Sequence, residues 1–432
     1  MATIATKAML AAGGALALVG GVAVLLTGHA APTDAPANPT APRAVERMMI
    51  PLADAQPSIV DYGRLESRIA ELMRERDMVG LAIGTVEQGR VRFIKGYGET
   101  LASSGAAVTP DTVFRWASVS KGVASALVVG LAEDGKLSLD APLASMRTTL
   151  TLPGDARSVT VADLLSHRLG LVRNAWDDRL EAGQDPKLLR ASLGTLAQYC
   201  PPATCYGYQN IAFDAASELV EQATGQAYAS VAQERLFAPL GMTTASVGRA
   251  GLQGAKSWAQ PHRWNRTPTT VNDNYYRVPA AGGVNSSILD LTRWMQAQIG
   301  DAPAILSPAA LEAMHRPRVS TPPRGRRGAM DRALTNAAYG LGWRSYTYAG
   351  HALVGHRGSV DGYGSLVLFD PAEKSGIVML WNSNTSKPAR LQLEFFDMLY
   401  RLPPTDWLEL PVRPNAATTV TAVAPSPGKA AR

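Results

Sequence analysis

Ser118 and Lys121 stand three residues apart in Ser118-Val119-Ser120-Lys121, behind apolar Val113, Phe114 and Trp116 and ahead of a stretch through residues 123–132 that reads as a helix. Side chains three apart share one helical face, so the amine can reach the hydroxyl. A serine hydroxyl is a weak nucleophile until a neighbouring base takes its proton, and a partly desolvated lysine can be that base. The helix N-terminus also favours developing negative charge. These are the residue types of an acyl-transfer site. The tetrapeptide alone equally describes the first turn of an ordinary helix, and Ser426-Pro427-Gly428-Lys429 repeats the spacing where proline and glycine forbid one.

Two further segments add chemistry. Tyr208-Gln209-Asn210 lies in a loop after Pro201-Pro202 and before a helical apolar period at Ile211, Phe213, Ala216, Leu219 and Val220. In an extended segment positions i and i+2 face the same way, so the phenol and the amide can serve one site. The phenol would relay a proton and the amide would hold a substrate carbonyl. His356-Arg357-Gly358, with Ser359 after it, leads into a strand-like run at residues 364–370. A glycine on a strand marks the close approach of another backbone, such as an acyl substrate.

The elements that must position these groups come from both ends of the chain. Residues 58–76 read as a helix with Ile59, Tyr62, Leu65, Ile69 and Leu72 on one face. Strands are expected at residues 81–86 and 91–97, joined as a hairpin through Gln88-Gly89, and again at 341–348, 365–369 and 376–381, before a helix at 391–400. The expected fold is α/β of the α+β kind: one antiparallel sheet flanked by helices, with a mainly helical insertion at about residues 115–320. Ser118, Tyr208 and His356 would converge in the cleft between the two parts.

These residues carry a resemblance. S-x-x-K, then Y-x-N about ninety residues on, then a basic residue-x-Gly on a C-terminal strand resembles the penicillin-recognising serine hydrolases, in the branch of class C β-lactamases, serine DD-carboxypeptidases, D-aminopeptidases and related esterases. Further blocks agree. Asp163-Leu164-Leu165-Ser166-His167 with Gly170-Leu171, Phe237-Ala238-Pro239-Leu240-Gly241-Met242, and Pro279-Ala280-Ala281-Gly282-Gly283-Val284 with Ser286 and Asp290-Leu291 resemble family blocks in the family's order. The resemblance covers about residues 58–402. It implies a catalytic set of Ser118, Lys121 and Tyr208, with Asn210 orienting the acyl group. It also implies an oxyanion hole from the backbone N–H groups of Ser118 and Ser359, and a cycle needing no cofactor and no metal. The implied substrate is an amide, either a D-amino-acid peptide or a β-lactam. Alternatives are an esterase of the same fold and a penicillin-sensing or peptidoglycan-binding protein that acylates without turnover. His356 stands where β-lactamases usually carry lysine. Arg357 either binds a substrate carboxylate or points away from the cleft as a solvated strand residue.

Composition fits a globular enzyme: 432 residues, 46% apolar, 18% charged and a net charge of 42 − 36 = +6. No nucleic-acid signature accompanies the mild basicity. Arg316, Arg318, Arg324, Arg326, Arg327 and Arg332 gather in a Pro/Gly-rich loop that reads first as solvated and second as attractive to an anionic envelope polymer or lipid. No G-x-S-x-G or H-E-x-x-H occurs. His167, closing an apolar helix, reads as structural.

Lys7 and the apolar run 8–26, followed by small residues at 28–31, read as a signal peptide or an uncleaved membrane anchor within residues 1–31. Either exports the remainder to the periplasm or cell exterior, free or held at the membrane. Residues 32–57 read as a Pro/Ala-rich linker and 403–432 as a disordered tail. In an exported chain the only two cysteines, Cys200 and Cys205, read as a disulfide that fixes the approach to Tyr208. The alternatives are two free thiols or a metal site, which lacks further ligands nearby.

Overall fold

A computed structural model describes residues 57–321 and 328–410. The expected leader or anchor, most of the linker, the tail beyond Leu410 and the basic-loop residues Arg324, Arg326 and Arg327 lie outside them. Among the described residues no helix is long and apolar enough to cross a membrane.

Among the described residues thirteen strands follow in chain order: β1 (Gly80–Glu87), β2 (Arg90–Gly98), β3 (Phe114–Arg115), β4 (Ser246–Val247), β5 (His262–Arg263), β6 (Thr267–Pro268), β7 (Val284–Ser286), β8 (Val319–Ser320), β9 (Thr335–Tyr339), β10 (Arg344–Tyr348), β11 (His351–Val360), β12 (Tyr363–Asp370) and β13 (Ser375–Trp381). Eight form one antiparallel sheet in the order β2-β1-β13-β12-β11-β10-β9-β8. The N-terminal and C-terminal parts of the described residues thus meet in one sheet, with β1 paired to β13. The β1–β2 hairpin turns on Gln88 and Gly89, both at positive φ, the geometry that a two-residue loop between twisted strands requires. The expected strand at 341–348 is shorter, and β9 and β8 extend the sheet beyond it, unforeseen because neither alternates in apolarity over a useful length.

The sheet has two covered faces. On one, Leu81, Ile83, Leu353, Leu366, Leu368, Ile377 and Met379 pack with Leu65, Ile69 and Leu72 of the first helix and with Leu391, Phe395 and Phe396 of the last. On the other, Val354, Val360, Tyr363, Val367 and Val378 join the core of the helical part. The first helix spans Tyr62–Met73, shorter than expected at both ends. Asp61 caps it by accepting from the Arg64 N–H, while Ser58 is tied to Glu87 of β1. The last helix is Leu391–Leu399. The chain beyond it does not become a free tail at Pro403: Leu408 is buried in the same cluster and the Trp407 indole N–H donates to Asp397 at 2.7 Å.

Between β2 and β8 runs the mainly helical part, whose centre is the helix Ser120–Glu133. Eleven of its fourteen residues are buried, so it is apolar all round, as a helix through a core must be. Short pairings of β7 with β3 and β4 tie the segment before Ser118 to this part.

Candidate active site

Ser118 sits not in the helix but on the single 3₁₀ turn Ala117–Val119 just before it. Ala117 has φ +47°, a left-handed conformation that costs a non-glycine residue about 1–2 kcal/mol. The flanking residue holds that strain in place. The Trp116 N–H donates to Val284 O at 2.9 Å, its indole donates to Ser286 Oγ at 2.8 Å, and its carbonyl accepts from Ser365 Oγ at 2.5 Å. Strand β11 crosses directly behind. A Cβ on Gly358 would collide with Trp116 O and Ser365 Oγ and stand 3.0 Å from Ser118 N. The close backbone approach expected at this glycine is therefore that of the chain's own nucleophile turn. Ser359, the next residue, lines the same cleft as Ser118.

Lys121, on the first turn of the helix, is fully buried. Its Nζ lies 2.8 Å from Asn210 Oδ1, 2.9 Å from Ala281 O and 3.3 Å from Ser118 Oγ. Burial pulls its pKa down to about 7, with the charges of Asp177 and Asp214 opposing the shift and that of Arg344 adding to it. An amide oxygen and a carbonyl can only accept, so they take two of its N–H donors. The ammonium donates its third to Ser118 Oγ, whereas the neutral amine keeps a lone pair that can take the Ser118 proton. Ala281 explains the Pro279–Gly283 block: its backbone supplies one of the two acceptors.

Tyr208 Oη donates to Ser118 Oγ at 2.8 Å. The residue between Tyr208 and Asn210 is extended, with Gln209 at φ −136°, ψ 121°, so both neighbours turn into one cleft. The Gln209 N–H donates to His167 Nδ1 at 3.2 Å, and the His167 ring packs 4.4 Å from that of Tyr208 between centroids. His167 is thus a support for the Tyr208 segment. The Cys200–Cys205 disulfide, Cα to Cα 6.4 Å, closes the loop leading to it.

Three cleft residues escaped the sequence reading. Asp177 accepts from Asn210 Nδ2 at 2.8 Å and so fixes which end of that amide faces Lys121. Its other oxygen is buried without a partner, and burial pushes its carboxyl up. Arg344, at the start of β10, donates to Tyr206 Oη at 2.9 Å and lies 5.3–6.0 Å from the rings of Tyr206, Tyr208 and Tyr339. Arg173 is an exposed cation lining the same cleft. None of the three sits in a motif. Each is brought in by the fold of a loop or a strand end.

His356 lines the cleft but presents neither nitrogen to it. Nδ1 lies 2.8 Å from Arg357 O, which can only accept, so Nδ1 carries the proton, and in the neutral ring Nε2 accepts from Tyr339 Oη at 3.0 Å. Arg357 and Ser359 share strand parity with Leu353, on the terminal-helix face of the sheet. There Arg357 Nη1 lies 3.5 Å from Asp331 Oδ1, and Nη2 lies 3.6 Å from Met330 Sδ. The cleft holds about 490 Å³ and wraps round the edge of β11 to reach these residues. That edge is open: β10 begins at Arg344, opposite Gly355, so residues 356–360 have no strand partner on that side among the described residues. No cluster of residues suited to hold a metal ion occurs among the described residues.

A family model described as Beta-lactamase matches residues 65–399. The chain is similar to unguisins hydrolase ungD' of Aspergillus campestris, 30% identical over 74% of this chain and 62% of that protein. It thus spans about three-fifths of that relative's length. It is also similar to penicillin-binding protein 4 of Amycolatopsis lactamdurans, 28% identical over 79% of this chain and 89% of that one. Among solved structures, the octameric penicillin-binding protein homologue from Pyrococcus abyssi superposes with a TM-score of 0.70 at 25% identity, covering 80% of this chain and 78% of that chain. A β-lactamase/D-alanine carboxypeptidase from Pseudomonas syringae shares the fold, with a TM-score of 0.64 at 22% identity over 79% and 99% of the two chains.

Proposed function

The chain belongs to the Beta-lactamase family of serine hydrolases, and from that premise we propose that it cleaves an amide bond in a peptide held as an extended strand, through an acyl-enzyme on Ser118. The observation that carries the peptide reading is the open edge of β11 over residues 356–360, directly behind the nucleophile turn. An exposed strand edge binds an extended peptide through main-chain hydrogen bonds.

The chemistry runs through Ser118, Lys121 and Tyr208, assisted by the Ser359 N–H and Asn210. Neutral Lys121 takes the Ser118 proton as Oγ attacks the carbonyl carbon. The oxyanion is held by the N–H groups of Ser118 and Ser359, donors whose loss typically costs about 10²- to 10³-fold in rate. Tyr208, hydrogen-bonded to the same Oγ, passes a proton to the leaving amine, and Lys121 and Tyr208 activate water for deacylation by the reverse path. Asn210, anchored by Asp177, orients the acyl group. Arg344 and Arg173 are the cleft cations suited to a substrate carboxylate. Arg357 reaches the cleft edge, where its guanidinium lies 3.5 Å from Asp331 Oδ1. A free-carboxylate peptide ending in D-amino acids fits these cations. The N-terminal apolar run supports export to the compartment where such peptides occur.

The test is the specificity constant for acetyl-Lys-D-Ala-D-Ala, a penicillin and neutral 4-nitrophenyl acetate, with wild type and Arg344→Ala. The proposal expects turnover of the peptide and a larger loss on it than on the ester. Turnover confined to the ester, or equal losses on both, would move an esterase to the front. A stable adduct without turnover would indicate a sensor.

A further inference from the structure

A second cavity, of about 380 Å³, lies on the terminal-helix face of the sheet, against Met330, Trp381, Ala389 and Trp407. It meets the catalytic cleft at Asp331, Arg357 and Ser359. The two indole N–H groups are already engaged, that of Trp381 with Thr385 O at 2.8 Å and that of Trp407 with Asp397 Oδ2 at 2.7 Å. What the rings can offer a ligand is therefore apolar surface. The charges at the rim pair with each other, Arg390 with Glu409 at 2.7 Å and Arg357 with Asp331 at 3.5 Å. This is a poor site for an ion and a suitable one for a hydrocarbon side chain.

We propose that this cavity is a second substrate subsite, which takes the apolar or aromatic side chain projecting to the far face of the sheet from a peptide lying along the open edge of β11. The inference rests on the strand-like binding proposed above. Side chains of an extended chain alternate between the two faces of the sheet it joins. The cleft with Ser118 serves one face and this cavity the other, and Ser359, whose N–H the oxyanion needs, borders both. A peptide whose carbonyl sits at Ser359 therefore projects one side chain toward Asn210 and a neighbouring one toward Trp381 and Trp407. Inverting the configuration of a residue sends its side chain to the opposite face, so the subsite must distinguish enantiomers at the position it reads.

Binding to the full chain carrying Ser118→Ala tests this without turnover. The probes are acetyl-X-D-Ala-D-Ala with X as glycine, L-phenylalanine or D-phenylalanine, titrated by calorimetry. One phenylalanine enantiomer should bind at least about tenfold more tightly than glycine, the scale of one buried aromatic side chain, and the other should show no such gain. Exposed Ser386, on the cavity rim, allows the cavity to be filled: Ser386→Phe, made in the same background, should abolish the gain. In the chain that retains Ser118 it should leave 4-nitrophenyl acetate hydrolysis unchanged. Trp407→Ala should shrink the gain as an independent variant. Equal binding of the three peptides, or a gain that survives Ser386→Phe, overturns the subsite while leaving peptide binding intact. Failure of all three to bind overturns the strand-like reading, and the subsite with it.

Discussion

Replacing Lys121 by methionine removes the amine while keeping most of its volume, and the effect on stability should depend on pH in a way that isolates the amine's protonation. Burial pulls the pKa from its usual 10.5 to about 7, so between those values the unfolded chain binds more protons than the folded one. Wild-type stability attributable to this group therefore rises with pH across that window, and the full penalty is present below pH 7. Linkage puts the penalty at about 5 kcal/mol at pH 6 and about 2 kcal/mol at pH 9. Methionine carries none of it. It does leave Asn210 Oδ1 and Ala281 O without the amine, at about 1–3 kcal/mol each, but that cost is the same at both pH values. Urea unfolding of both proteins at pH 6 and pH 9 gives the comparison. The stability of Lys121→Met relative to wild type should fall by about 3 kcal/mol on going from pH 6 to pH 9. A relative stability constant within about 0.5 kcal/mol across that range would refute the reasoning, because the lysine would then titrate alike in both states.

Three further perturbations follow from the same geometry. Gly358→Ala should lower kcat/KM by about 10²-fold or more without loss of secondary structure by circular dichroism, since a Cβ there forces β11 away from Trp116 O and the Ser118 N–H; activity within threefold of wild type would contradict this. Lys121→Ala and Tyr208→Phe should each slow acylation by about 10²-fold or more, with the double variant little worse than the worse single, because both groups act on one Oγ; additive losses would show separate proton paths. Asp177→Asn should move the acid limb of kcat/KM, set by the neutral Lys121 base near pH 7, to lower pH, since removing an anion that favours the ammonium lowers its pKa further; an unmoved or raised limb would exclude that coupling.

The fold's outline was legible because its elements carry strong local signals. The first helix shows a 3.6-residue apolar face, the β1–β2 hairpin turns on Gln88-Gly89, and β12 and β13 are continuous apolar runs. Short β8 and β9 carry no such period. Ser118, Lys121, Tyr208 and Asn210 could be singled out because each sits in a spaced motif, and the structure brings all four into contact through Lys121 and Ser118. His356 and Arg357 lie on a C-terminal strand as their motif implies, but strand parity turns Arg357 to the other face and a carbonyl and a phenol occupy the His356 nitrogens. Asp177 and Arg344 left no trace in the sequence. Their roles depend on a loop residue meeting an amide and a strand end meeting three tyrosine rings, and neither meeting has a local period or spacing.

The central claim is a covalent acyl-enzyme on Ser118, and the most direct measurement is intact mass and peptide mapping of the full chain quenched in acid within seconds of mixing with a penicillin. The account predicts an adduct of the penicillin's mass on the peptide containing Ser118, absent from Ser118→Ala and formed more slowly at pH 5 than at pH 8 as Lys121 becomes protonated. An adduct on another residue, or one that Ser118→Ala still forms, would contradict it.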